Sequence, residues 1–322
     1  MPENRQVSVE DVRPLARIYC LSGCTAVGKT ELALSWAERF DAEIVNCDSL
    51  LFYRGMDIGT AKPNREEQER VPHHLIDILE PAEQMDIGRY IDLAIGTIRE
   101  IQSRGRRVLV TGGSGFYLKA FFAPVVDAVA VSEESSQLAG SILEKGLDAA
   151  VSELLRRNPD GLDGLDVDNP RRVIKALERC IESGKTLQEL KSDFAGQTNA
   201  LVQADKSLCI LEREKEELNE RIAQRVGIML EQGLLAEVEA LLGRGIEANP
   251  SACNAIGYRE VISYLKGEYD IDLMEEKIAT NTRRLAKKQR TWFRGQLPEE
   301  RRQLELSGRN RVDLTELFEE IL

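Results

Sequence analysis

The 322-residue chain is 42% apolar and 30% charged, which excludes general disorder and suits one large domain carrying a smaller one. Its net charge of −12 argues against indiscriminate nucleic-acid binding, because a polyanion is repelled by the average field, although a local basic patch can override that repulsion. No apolar run reaches about eighteen residues and no basic-then-apolar leader pattern is present, which points to a cytoplasmic protein with no membrane partner; six scattered cysteines without Cys-x-x-Cys and the lone pair His73-His74 argue against a zinc or disulfide framework.

The first residues, to about Arg13, are polar and read as loose. Residues 17–22 form a short apolar run ending at Gly23, a buried strand feeding a loop. A helix follows, with Ala33, Trp36, Ala37 and Phe40 recurring on one face. A second strand over 42–47 ends at Asp48-Ser49, and a helix over about 88–104 leads to a third strand, 107–111, which ends at Gly112-Gly113-Ser114-Gly115. Strands alternating with helices imply a parallel sheet whose sites lie beyond the carboxyl ends of its strands.

After about Pro124 the pattern changes to helices only. Asn169-Pro170 is an N-cap followed by proline at the first helical position, and Gly184 is a stop, so 170–183 is a helix. Short helices without a strand fill the stretch from about 127 to 197, an inserted lobe, and Cys209-Ile210-Leu211 returns one strand to the core. Helices are expected over 214–231, 234–242 and 273–293. The fold class is therefore α/β: a P-loop NTPase-like parallel sheet flanked by helices, with core residues 14–126 and 198–322, an all-helical insertion at 127–197 and a helical C-terminal part.

Gly23-Cys24-Thr25-Ala26-Val27-Gly28-Lys29-Thr30 fits the P-loop pattern G-x-x-x-x-G-K-[ST], and strand, loop and helix fall in the order it needs. Its glycines let backbone N–H groups converge on an anion, Lys29 adds a cation and Thr30 a hydroxyl for Mg²⁺. Asp48 has three readings: a magnesium ligand, a base touching the substrate, or a helix cap formed with Ser49. Where an NTPase often places its magnesium-binding aspartate, the third strand instead ends in glycines around Ser114, either a tight turn or a hydroxyl donor. Arg221 and Arg225 share a helical face and either point at a pyrophosphate or are solvated. Arg283, Lys287, Arg290 and Arg294 align as one basic stripe, either an RNA-backbone surface or a solvated face, while Ile278, Leu285 and Trp292 mark an apolar face.

Taken together, the P-loop, the block Asp48-Ser-Leu-Leu-Phe-Tyr-Arg-Gly-Met-Asp-Ile-Gly-Thr-Ala-Lys-Pro63, Pro72-His-His-Leu-Ile-Asp77, Gly112-Gly-Ser-Gly-Phe-Tyr117, Ala255-Ile-Gly-Tyr-Arg-Glu260 and Arg284-Leu-Ala-Lys-Lys-Gln-Arg-Thr-Trp292 resemble the tRNA dimethylallyltransferases, also called tRNA isopentenyltransferases. The resemblance implies that the loop holds the pyrophosphate of dimethylallyl diphosphate, and that the five-carbon group passes to N6 of the adenine 3′ of the anticodon, tRNA position 37, without consuming ATP. Asp48 would be the general base and Ser114 would assist at the reacting centre. Lys29, Arg221 and a Mg²⁺ on Thr30 would stabilise the leaving pyrophosphate.

By the same resemblance, the anticodon stem-loop would be contacted by Asp48, Ser49, Leu50 and Leu51; by Arg171, Arg172, Val173, Ile174 and Lys175; by Asn254, Ala255, Ile256, Gly257, Tyr258 and Arg259; and by Lys287, Lys288, Gln289, Arg290, Thr291, Trp292, Phe293 and Arg294. The enzyme would work as a monomer. The chain departs from the family pattern at Ser114, where threonine is usual, at Cys24, where proline is common, and at 125–131, which lacks the expected proline- and aspartate-containing approach to the insert and its contacts near Ser135. Three rivals are an adenylate isopentenyltransferase making a cytokinin, an ATP-dependent kinase, and an inactive RNA-binding homologue. The Gly-Thr-Ala-Lys-Pro63 block, the long C-terminal part and the basic stripe favour tRNA over a free nucleotide.

Overall fold

Six strands, all parallel, build one sheet in the order β3-β2-β4-β1-β5-β6. The computed structural model describes residues 14–126, 129–309 and 319. The polar stretch before residue 14, and residues 127 and 128 of the divergent segment, lie outside them.

In chain order, β1 (Ile18–Gly23) leads through the P-loop into α1 (Lys29–Arg39), and β2 (Ala42–Asn46) follows. Then come α2 (Arg65–Arg70), the two-residue β3 (His73–His74), α3 (Ile87–Ser103), β4 (Arg107–Gly112) and α4 (Gly115–Lys119). The register sets Leu21 beside both Thr111 and Cys209, and Asn46 beside Thr111. The ends of β1, β2, β4 and β5 are therefore level, and the loops carrying Gly23, Asp48 and Ser114 emerge together.

Burial follows from the sequence. β1, β2 and β4 are apolar because helices cover both faces of a parallel sheet. Helix α1 lays Leu32, Ala33, Trp36 and Ala37 on the sheet. Trp36 sits between Tyr19 and Phe40 with ring centroids 5.0 and 4.9 Å away, each large apolar side chain contributing about 1.5–3 kcal/mol by burial.

The described residues separate into two compact units, one formed by those up to Ala123 together with those from Ala200 on, the other by Pro124–Asn199. The second holds α5 (Glu133–Leu143), α6 (Leu147–Arg157), α7 (Pro170–Ser183) and α8 (Leu187–Ala195) around Ala139, Leu154, Val173 and Leu177. Helix α7 has the ends its sequence implies: Asn169 Oδ1 accepts from the N–H groups of Arg171 and Arg172 at 3.1 and 3.3 Å, and Gly184 adopts φ 67.

The first unit resumes with α9 (Ala200–Gln203), β5 (Lys206–Glu212), α10 (Lys215–Glu231), α11 (Leu234–Gly243), α12 (Pro250–Cys253), α13 (Tyr258–Leu265), α14 (Ile271–Gln296) and β6 (Arg302–Glu305). The sequence reading names neither the helices α2, α4, α12 and α13 nor two of the strands. β3 and β6 join the sheet as edge strands, and Leu285 does not bury with the apolar face of α14 but stays 37% exposed.

Candidate active site

The loop between β1 and α1 is turned by two residues in the left-handed region, Ala26 at φ 62 and Gly28 at φ 110. A Cβ on Gly23 would come within 2.7 Å of the Leu211 carbonyl, so glycine is what lets the loop lie against β5. Gly28 starts α1 without a side-chain cap, and the first N–H groups of that helix are left for an anion. Lys29 Nζ donates to the carbonyls of Gly23 and Cys24 at 3.0 and 2.9 Å, folding the ammonium over the loop. Burial pushes its pKa down, with Cys24 and Asp48 opposing that shift.

Three arginines surround the loop from behind. Arg213, at the end of β5, is buried; it donates from Nε to the Val27 carbonyl at 3.1 Å and pairs with Glu217. From α10, Arg221 Nε donates to the Ala26 carbonyl at 2.9 Å. Arg225 donates to Thr25 Oγ1 at 3.5 Å and to the Thr60 carbonyl at 3.1 Å. The spacing of four thus brings both side chains to the P-loop, Arg221 remaining exposed and Arg225 half-buried. Burial pushes down the pKa of both, for Arg225 against the pull of Asp48. Arg225 lines the same cleft as Arg221, although its sequence position singles it out no more than Arg221.

Asn46 shapes the backbone at Asp48. Its buried carboxamide accepts from the Asp48 N–H at 2.7 Å and donates to the carbonyls of Asp48 and Leu75 at 3.1 and 2.9 Å. Asp48 Oδ1 then accepts from the Leu50 N–H at 3.1 Å and Oδ2 from the Gly113 N–H at 3.3 Å. One bond to each oxygen orients the carboxylate and leaves lone pairs free for a substrate proton. The helix-cap reading of Asp48 with Ser49 is not what forms: no helix starts there.

The Gly112–Gly115 turn is glycine-rich for steric reasons. A Cβ on Gly112 would lie 2.1 Å from the Cys47 backbone, one on Gly113 would lie 3.0 Å from Gln289 Nε2, and one on Gly115 would lie 2.2 Å from the Trp292 ring. Ser114, which retains a side chain, precedes α4 without making a side-chain cap bond and lines the cleft.

These loops bound one cleft of about 890 Å³, lined on the sheet side by Lys29, Thr30, Asp48 and Ser114 and on the helix side by Arg221 and Arg225. Ser49, Leu50, Leu51, Ile256 and Gly257 also reach it, and α14 contributes Leu285, Lys288, Gln289, Trp292 and the buried Phe293. One wall is the Asp57–Pro63 segment. There Lys62, 3% exposed at its side chain, is bound by Asp57, Asp77 and the Tyr53 carbonyl at 2.7, 2.5 and 2.8 Å, so it staples the chain. Glu237 completes the wall by accepting from the N–H groups of Asp57, Ile58 and Gly59 at 3.0, 2.7 and 3.1 Å and from the Tyr258 hydroxyl at 2.7 Å.

Other expected RNA contacts are placed differently. Val173, Ala255 and Tyr258 are buried: Val173 packs the core of the helical unit, Ala255 packs inside the first, and Tyr258 donates to Glu237. Asn254, Arg171, Arg172 and Lys175 are exposed and Ile174 and Arg259 half-buried, with Arg172 on Asp166, Lys175 on Glu178 and Arg259 on Glu260. Arg283, Lys287, Thr291 and Arg294 are exposed and Arg290 is half-buried, which leaves the stripe accessible; Arg294 has Glu212 at 3.8 Å. Gly23, Cys24 and Val27 are buried and act through backbone and packing.

The family described as IPP transferase matches residues 51–296. A tRNA dimethylallyltransferase of Opitutus terrae is 54% identical over 286 residues, 89% of this chain and 92% of that protein. A tRNA dimethylallyltransferase 2 of Geotalea uraniireducens is 39% identical, covering 86% and 89%. Among solved structures, the tRNA isopentenylpyrophosphate transferase of Bacillus halodurans aligns with a TM-score of 0.70 at 32% identity over 95% of both chains. A eukaryotic dimethylallyltransferase acting on tRNA aligns at 0.80 and 26%, over 91% of this chain and 74% of the other. With a P-loop ringed by arginines, a carboxylate and a serine hydroxyl on one cleft, and relatives matching over most of its length, this chain belongs to the IPP transferase family.

Proposed function

We propose that this chain transfers the dimethylallyl group of dimethylallyl diphosphate to N6 of adenosine 37, in the anticodon stem-loop of tRNA, releasing pyrophosphate. Prenyl transfer to tRNA is the activity for which its relatives are named, and it makes the chain an enzyme. The observation that carries the finer reading is the cleft itself: an anion cradle with Lys29, Arg221 and Arg225 at one side and an oriented carboxylate, Asp48, at the other.

The exocyclic amine of adenine is a weak nucleophile that must lose a proton as it attacks carbon. Asp48 accepts that proton from N6 while N6 forms a bond to C1 of the allylic group. The C1–oxygen bond breaks with its electron pair going to the diphosphate, whose growing charge faces the P-loop N–H groups, Lys29 and the two arginines. Ser114 donates a hydrogen bond at the reacting centre. The base must leave the anticodon-loop stack, at a cost of a few kcal/mol recovered through contacts to loop and backbone.

Thr30 is the protein ligand for Mg²⁺ in this reading. It is exposed to the cleft in the first turn of α1, and among the described residues no cluster of three His, Cys, Asp or Glu side chains forms a dedicated cage. That sparse donor set suits Mg²⁺, which keeps waters and takes substrate phosphate oxygens. When bound, the ion supplies countercharge to the leaving diphosphate.

Monomeric action in the cytoplasm completes the proposal; no helix among the described residues is long and apolar enough to cross a membrane. The test is incubation with Mg²⁺, labelled dimethylallyl diphosphate and unmodified tRNA, with AMP replacing tRNA in parallel. Label at the adenosine 3′ of the anticodon supports the reading, whereas label in AMP alone favours a cytokinin-type enzyme. The exposed stripe on α14 adds a second expectation. Lys287 and Arg290 changed together to alanine should weaken tRNA binding and reduce the slope of log affinity against log salt by roughly 2, measured by fluorescence anisotropy across salt. An unchanged slope would remove the stripe from the RNA surface.

A further inference from the structure

Gln289 comes from the far end of the sequence and enters the cleft between its two chemical halves. Its Oε1 accepts from the Thr25 N–H of the P-loop at 2.9 Å, and its Nε2 donates to the Gly113 carbonyl at 2.9 Å. Gly113 in turn donates its own N–H to Asp48 Oδ2 at 3.3 Å. Only one orientation of the carboxamide meets both partners, since the Thr25 N–H needs an acceptor and the Gly113 carbonyl needs a donor. The close approach depends on Gly113, where a Cβ would sit 3.0 Å from Nε2.

We infer that Gln289 is a positioning residue, a strut that holds the diphosphate loop at a fixed spacing from the turn carrying the acceptor-side carboxylate. The inference rests on the donor and acceptor roles given above and goes beyond RNA contact, the role its motif alone implies. Helix α14 then has two functions on two faces. Outward it presents Arg283, Lys287 and Arg294 to solvent; inward it places Gln289 across the cleft and seats Trp292 against Gly115. Because the strut and the stripe share one helix, RNA seated outside is expected to restrain the loop inside and raise pyrophosphate affinity, and linkage then requires pyrophosphate to raise RNA affinity by the same factor. A near-attack geometry is sensitive to displacements of about 1 Å, so a loosened strut costs rate as well as donor binding.

Three variants separate these effects. Gln289→Ala removes both bonds. Gln289→Asn is one methylene shorter and cannot span both partners. Gln289→Glu keeps the length and the acceptor for Thr25 but sets an oxygen against the Gly113 carbonyl. The measurements are single-turnover prenyl transfer, the Kd of inorganic pyrophosphate with and without a synthetic anticodon stem-loop, the Kd of that stem-loop alone, and Tm. Alanine and asparagine should lower the single-turnover rate about 10- to 100-fold, weaken pyrophosphate binding and abolish its enhancement by RNA, with stem-loop affinity within about twofold of wild type. Glutamate should fall between.

Loss of stem-loop affinity with rate per bound complex and pyrophosphate binding intact would overturn the inference and make Gln289 an RNA contact only. Should the alanine variant not fold, the glutamate variant decides: unaltered rate and pyrophosphate affinity reject the strut. If wild-type protein modifies no tRNA, the functional reading fails, yet pyrophosphate binding and its loss in the variants still test the strut independently.

Discussion

Replacing Asp48 with alanine is expected to lower the single-turnover rate of prenyl transfer by roughly 10²- to 10⁴-fold, the range of a lost general base, with tRNA affinity little changed. The expectation follows from how the carboxylate is held. Leu50 and Gly113 each donate one backbone N–H to it, at 3.1 and 3.3 Å, which fixes its orientation without using up its lone pairs. Nothing in that arrangement depends on RNA, so truncation removes a proton acceptor and leaves the outward surface of α14 intact. Asp48→Asn refines the test, because the amide can still accept a hydrogen bond from N6 but cannot take its proton. Both variants should therefore be slow in rapid-quench assays at saturating tRNA and donor. A near wild-type rate in Asp48→Asn would reduce the residue to an orienting acceptor, and a near wild-type rate in Asp48→Ala would end its catalytic assignment.

The parts of this fold that were legible in the sequence are those with local causes. β1, β2 and β4 announce themselves as apolar runs that end in glycine or Asp-Ser, and α7 carries its own N-cap, proline and stop glycine. β3 and β6 were not legible. His73-His74 is too short for alternation, and Arg302–Glu305 buries only Leu304, so both acquire strand geometry from the neighbour they pair with, β2 and β5.

The site divides in the same way. The P-loop, Asp48 and the Gly112–Gly115 turn stand out because their residue types are unusual where they occur. The direction of an arginine on a helix is a tertiary property, however, and Arg213, Arg221 and Arg225 acquire meaning only when β5 and α10 pack behind the loop. Asn46, Lys62 and Glu237 are polar residues whose type gives no sign of their partners. Each is spent on backbone geometry around the cleft, with partners up to 180 residues away.

Lys29→Met is the second variant with a large expected effect, since it removes the only P-loop cation while keeping most of the volume of the side chain. The two carbonyls it satisfies, Gly23 and Cys24, lose a donor, a cost of about 1–3 kcal/mol that is partly offset because the ammonium is itself desolvated. The protein should therefore fold. The leaving diphosphate loses a charge-assisted partner within the cleft, and kcat/KM for the prenyl donor should drop by roughly 10²- to 10³-fold, as when a single oxyanion donor is removed. Stem-loop affinity should hold, because the exposed cations of α14 proposed to meet the RNA backbone are untouched. Thermal shift gives an independent readout: pyrophosphate at a hundred times its Kd stabilises the native state by about 2.7 kcal/mol. That protection should appear in wild type and fade in Lys29→Met at the same ligand concentration. Protection of wild type by ATP but not by pyrophosphate or dimethylallyl diphosphate would instead return the loop to a triphosphate and the chain to a kinase-like chemistry.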